Sequence, residues 1–212
     1  MNFTTEDARL VRREEKEENL QRLIGQYLDR LSVKEDARPQ DRRITLVVRS
    51  AQSPAARAVM AHLDQLAALD IRVDVVMAKL EPADAYAEWC GQALDAVGAN
   101  LNLRWLRREA LLEAHEQLAL GRTFAWWGDC MRREPENRDS FEVTSFFDVE
   151  AADRVNRAFA ALWAVSETAP MNFGTRHLTD RPESEVGGPL DLAGLGLGEA
   201  PVPGSPTVMT RH

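Results

Sequence analysis

Three short β-rich runs separated by two helix-length stretches constrain this chain more than any other feature. Residues 44–48 read ITLVV, residues 71–77 read IRVDVVM, and residues 101–106 read LNLRWL. The first run is β-branched and apolar on both pleat faces, as a strand covered on both sides requires. The second alternates at its start, with Ile71, Val73 and Val75 on one face, and the third alternates throughout. Between the first two, Ser53-Pro54 offers a capping hydroxyl and a proline at the first helical position. That predicts a helix to about Leu69, with Val59, Met60, Leu63, Leu66 and Ala67 facing inward. Residues 84–97 predict a second helix, carrying Trp89 and Leu94 and ended by Gly98. Strand–helix–strand–helix–strand in this order implies parallel strands with right-handed crossovers.

The pattern then changes. Residues 117–120 and 123–127 read as two short strands joined at Gly121, a hairpin. Residues 141–147 (FEVTSFF) are a further strand. Val149–Val165 is a strongly periodic helix, with Asp148 as its N-cap and Ala152, Val155, Phe159, Leu162 and Trp163 on one face. The expected fold is therefore α/β: a mixed, mostly parallel sheet flanked by helices.

Two flanking segments complete the organisation. Residues 5–32 read as a helix, highly charged in its first half, with Leu10, Leu20, Leu23, Ile24, Tyr27, Leu28 and Leu31 on one face. That stripe has to dock, on this domain or on a partner; docking within the chain is the simpler expectation. From about residue 170 the composition shifts to Gly, Pro, Ser and Thr, which predicts a flexible tail. Its LDLAGLGL stretch is the one candidate binding segment there. The expected division is residues 1–38 as an N-terminal helical segment, 39–168 as the α/β domain and 169–212 as the tail.

The chain of 212 residues is long enough for one such domain with a real core. A formal charge of −8 argues against global, non-specific attraction to nucleic acid or anionic membrane, though not against local basic patches. Cys90 and Cys130 show no paired spacing and read as two reduced thiols. No stretch approaches the ~20 apolar residues needed to span a bilayer, and the polar N-terminus has no secretory h-region. A cytoplasmic location is expected. No motif calls for a cofactor or a metal, and Cys130 with His115 and Asp129 has no zinc-ligand spacing.

Read in order, the later features resemble one catalytic half of the phospholipase D superfamily. Such a half carries H-x-K-x4-D, a Gly-Arg turn, a buried strand running into glycine, an acidic strand and a helix closing near Phe-x-x-Leu-Trp. Here His115 matches the histidine, Gly121-Arg122 the turn, and Phe124 to Gly128 the strand running into glycine. Phe141-Glu142-Val143 matches the acidic strand, and Phe159-Ala160-Ala161-Leu162-Trp163 the helix end. The resemblance covers roughly residues 40–165.

The departures fall on the chemistry. Gln117 stands for the lysine, Leu120 for the aspartate, and Asp129 for the small residue after the glycine. The resemblance implies a histidine that attacks phosphorus and a lysine that stabilises the developing phosphoryl charge. Loss of such a cationic donor costs on the order of 10²–10³ in rate, and Asp129 sets a negative charge where an anionic phosphate should approach. The family site also needs two halves, so this single half would complete one only as a homodimer.

The candidate residues are accordingly His115, as a residual nucleophile, and Glu142, as the group orienting it. Gln117, Arg122, Gly128 and Asp129 are candidates for ligand or phosphate contact. Arg104, Arg107, Arg108, Arg122, Arg132 and Arg133 crowd the same part of the sequence and could converge on an anion or nucleic acid. Salt bridges to Glu109, Glu113, Glu134 and Glu136 are the plainer expectation. Trp126 and Trp127 would point to opposite faces of a strand, so at most one could line a site.

Three functions stay open. The first is a non-catalytic phospholipase D-like domain for binding, assembly or regulation, partnered by a second copy or by a protein on the N-terminal helix. The second is an active phosphodiesterase or nuclease in which Arg122 replaces the lysine's charge. The third is an unrelated α/β interaction protein, favoured if His115 lies away from the sheet's C-terminal edge.

Overall fold

The computed structural model describes residues 6–10, 13–34, 37–106, 112–132 and 141–170. Its elements are β1 (Glu6–Leu10), α1 (Arg13–Ser32), β2 (Arg43–Val48), α2 (Pro54–Met60), α3 (Leu63–Ala68), β3 (Arg72–Met77) and α4 (Ala83–Val97). They continue with β4 (Leu101–Trp105), β5 (His115–Leu120), β6 (Phe124–Cys130), β7 (Phe141–Phe146), α5 (Val149–Val165) and β8 (Glu167–Thr168). The expected tail and its LDLAGLGL stretch lie outside the described residues.

Among the described residues the eight strands form one sheet, in the order β1-β7-β6-β5-β2-β3-β4-β8. The fold is α/β with a mixed sheet. Parallel pairing is confined to β2–β3 and β3–β4. The other five pairings are antiparallel, so among the described residues antiparallel pairs predominate, contrary to the mostly parallel sheet expected. The reason is local. The first three strands are linked by helices, which permit parallel return, whereas β5 and β6 are joined at Gly121, which permits only a hairpin. Gly121 takes φ +59°, and a Cβ there would stand 3.1 Å from the Asp41 carbonyl oxygen, so the turn needs glycine twice over.

Residues 5–32 are not one helix. Glu6–Leu10 is an edge strand paired with β7, and the helix begins only at Arg13. The apolar stripe of α1 docks within the chain: Leu20, Ile24, Leu28 and Leu31 are buried in the main core with Ile44, Leu46, Leu118 and Trp126. That core fills the sheet face covered by α1, α2 and α4. The opposite face is covered by α5, whose Phe159 and Leu162 pack with Val47 and Val76, and whose Ala151 and Val155 pack with Ala119 and Ala125. Each fully buried side chain of this size contributes about 1.5–3 kcal/mol. Asp148 caps α5 as expected, accepting the Ala151 backbone N–H at 3.0 Å.

The helix expected from Pro54 to about Leu69 is instead two. It breaks at Ala61 and His62, where the His62 ring turns back to the Gln21 carbonyl of α1, its Nε2 2.8 Å from that oxygen. The break rotates Ala67 out to solvent while Leu66 stays buried. Among the described residues no helix is long and apolar enough to cross a membrane.

Candidate functional site

His115 opens β5. Because β5 runs antiparallel to β2, this places His115 at the C-terminal edge of the parallel strands. That edge holds the carboxyl ends of β2 and β3, the side of the sheet on which open α/β folds build their sites. Gln117 faces Trp127 of β6 while His115 faces Cys130, so β6 carries one extra residue at Gly128-Asp129, a β-bulge. The bulge brings the Gly128 carbonyl to 2.7 Å from the half-buried His115 Nδ1. A carbonyl only accepts, so Nδ1 carries the proton, and in the neutral ring Nε2 holds the lone pair.

The neighbouring candidates are buried. Glu142 is 1% exposed and accepts the Trp126 indole N–H at 3.2 Å. Asp129 is 3% exposed and takes a hydrogen bond from Lys16 Nζ of α1 at 2.7 Å. The same ammonium lies 5.9 Å from the Trp126 ring centroid. Gly128 is required by packing, because a Cβ there would stand 2.3 Å from Trp126 Cη2. Gln117, in register with Val47 and Trp127, is buried on the α5 side, and its Oε1 has no hydrogen-bond partner among the described residues.

Sequence reasoning missed much of this neighbourhood. Glu116 is 1% exposed and accepts from the Arg49 backbone N–H at 3.1 Å and from Ser53 Oγ at 2.5 Å. Ser53 sits at the start of α2, but its hydroxyl serves Glu116 and makes no cap bond. The Arg49 guanidinium donates to the Met131 carbonyl. Lys16 and Arg49 carried no signal beyond being charged. Glu116 did carry one, standing between His115 and Gln117 in a strand that could bury both faces.

Among the described residues the arginines do not converge. Arg104 Nη1 donates to the Trp163 and Ser166 carbonyls at 2.7 and 3.1 Å, and the guanidinium lies 4.6 Å from the Trp163 ring centroid. Arg132 pairs with Glu113 at 2.8 Å, the salt bridge expected as the plainer alternative. Arg122 sits beyond the far end of β5, at the turn. Five residue steps from His115 to Leu120 already cover about 17 Å, so one phosphate cannot reach both His115 and Arg122. Arg107, Arg108, Arg133, Glu109, Glu134 and Glu136 lie outside the described residues. Trp126 is fully buried and Trp127 is half-buried. Cys130 Sγ donates to the Leu112 and Glu113 carbonyls, and no cluster of three or more metal-ligating side chains occurs among the described residues.

No family model and no curated protein matches the chain. Among solved structures it is similar to Nuc from Salmonella typhimurium, a phospholipase D family member, with 12% identity and a TM-score of 0.48 over 70% of this chain and 90% of that one. It is similar to NucT from Helicobacter pylori, with 8% identity and a TM-score of 0.47 over 78% of this chain and 99% of that one. It is also similar to TrmBL2, an archaeal chromatin protein with a novel mode of DNA binding, with 14% identity and a TM-score of 0.47 over 76% of this chain. The chain spans 54% of the length of TrmBL2.

Proposed function

We propose that this chain is a non-catalytic phospholipase D-like domain that serves as a binding, assembly or regulatory module. One observation carries the reading: Asp129, at the position where the family keeps a small residue facing phosphate, is committed to a buried ion pair with Lys16. Gln117, at the lysine position, offers no charge to a phosphoryl oxygen and is buried on the α5 side. Glu142 is engaged by the Trp126 indole N–H. The polar residues next to His115 are thus taken up by bonds within the fold, Asp129 to α1 and Glu142 to Trp126.

Survival of hydrolysis with Arg122 in the lysine's role is the weaker reading, since Arg122 and His115 stand at opposite ends of β5. A cytoplasmic setting belongs to the proposal, in line with two thiols not joined in a disulfide. Pairing with a second copy, the family's way of completing a site, is one form the assembly would take, and the mass of the protein in solution reports it.

The test of the main reading is turnover of bis-p-nitrophenyl phosphate by the full chain and by His115→Ala. The expected result is no hydrolysis above buffer for either. Robust hydrolysis that disappears in His115→Ala would overturn the proposal.

A further inference from the structure

At the other end of the sheet from His115 lies a cleft of about 270 Å³. It is bounded by the C-terminal half of α1, by the turn Pro39–Asp41, and by the β5–β6 turn and the end of β7. Three cations reach it, Arg30, Lys34 and Arg122, against one carboxylate, Asp41, on a chain whose net charge is −8. Lys34 is paired with Asp41 at 3.0 Å. Arg30 and Arg122 have no ion-pair partner among the described residues; Asp41 feels the Arg122 charge only through space.

The opposite wall is aromatic. Phe124 and Phe146 meet edge to face with ring centroids 5.4 Å apart. Phe147 follows at φ +56°, a left-handed backbone that a bulky residue adopts only where its surroundings hold it. What holds it is the start of α5: the Asp148 N–H donates to the Thr123 carbonyl at 3.1 Å, and Ser145 Oγ donates to Asp148 at 3.2 Å. The result is an apolar ring left 65% exposed at the cleft, with the Arg30 guanidinium 4.6 Å from its centroid. The floor is firm, since the Tyr27 hydroxyl donates to the Asp41 carbonyl and Gly121 packs against the same peptide.

We propose that this cleft binds a small amphipathic carboxylate, its apolar body against Phe124, Phe146 and Phe147 and its head group taken by Arg30 and Arg122. Guanidinium forks suit a carboxylate's two oxygens. Pockets for drug-sized ligands run from ~300 to 1,000 Å³, so this volume limits the body to about a single ring or its equivalent. The site is independent of the function proposed above, being built on neither His115 nor its neighbours.

The test is calorimetric titration of the full chain with 4-phenylbutyrate, 4-phenylbutanol and acetate, repeated on Arg30→Gln, Arg122→Gln and the double variant. All three variants are at exposed or half-exposed positions, and circular dichroism checks their folding. Saturable binding of the phenylbutyrate with a Kd at or below about 1 mM is expected for a ligand of this size. The alcohol and acetate should each bind at least tenfold more weakly, and each arginine variant should weaken binding at least fivefold. Equal affinity for acid and alcohol, an unchanged Kd in the double variant, or no saturation by about 10 mM would overturn the proposal.

Discussion

Lys16 Nζ and Asp129 Oδ2 lie 2.7 Å apart with both side chains 3% exposed, one residue from α1 and the other from the bulge in β6. Leaving one member of a buried pair without the other costs about 3–5 kcal/mol, because an uncompensated charge stays in a dry site. Asp129→Leu and Lys16→Met should each lower stability by about that much. A joint replacement, Lys16→Met with Asp129→Leu, should recover most of it, as apolar groups of similar volume often substitute for such pairs without loss. Denaturant midpoints of the four proteins complete the cycle, and additive losses would refute the coupling.

Gly128 has no room for a side chain. Trp126 Cη2 would stand 2.3 Å from an added Cβ, and the ring is fully buried with its N–H held by Glu142. Gly128→Ala should therefore destabilise by about 1–3 kcal/mol through overpacking. An unchanged urea midpoint would show that the indole can move aside.

Gln117 gives a prediction of opposite sign. Its buried Oε1 lacks a partner, and removing an unsatisfied acceptor relieves a desolvation cost of about 1–3 kcal/mol. Gln117→Met should be neutral or stabilising. Gln117→Lys, which restores the family's residue, buries a charge and should lower Tm without producing phosphodiester turnover. Hydrolysis by that variant would mean that the lysine was all the site lacked.

Asp148 links α5 to pH. The Ala151 N–H first, then Ser145, the Glu150 N–H and the Arg154 charge hold its carboxyl below the usual range. A depressed folded pKa contributes stability that is present above the ordinary carboxylate pKa and lost as pH falls through the folded value. Asp148→Ala should cost about 1 kcal/mol near neutrality, as N-cap losses do. The gap in Tm between variant and parent should close as pH drops below about 4. A gap that persists at pH 2 would assign the cost to packing.

How much of this was legible depended on range. β2, β3, β4 and the hairpin follow from β-branching, alternation and one glycine, all local signals. Val149–Val165 was readable to the residue, because a full apolar stripe and a capping aspartate mark both its face and its start. Glu6–Leu10 was not, since a charged segment with helical spacing becomes a strand only when β7 presents an edge to it. The candidate site divided the same way. His115 and Gly128 meet at one end of the sheet, while Asp129 and Glu142 are taken up by Lys16 and Trp126. Lys16, which pairs with Asp129, and Arg49 and Ser53, which donate to Glu116, come from segments 63–113 residues away, and pairings over that distance leave no trace in spacing. Arg122 was drawn toward His115 by nearness in sequence, which a strand converts into about 17 Å of separation.

The pairing of Glu6–Leu10 with Phe141–Phe146 joins the start of the chain to residues about 135 positions later. Residues 6–10 are made long before the strand that receives them, and pairing so distant in sequence slows folding. The apolar stripe of Leu20, Ile24, Leu28 and Leu31 shares its core with residues of β2, α2, β5 and β6, all of them made before β7. Among the described strands the β1–β7 edge is thus the pairing most distant in sequence, and it can form only once residues 141–146 are present.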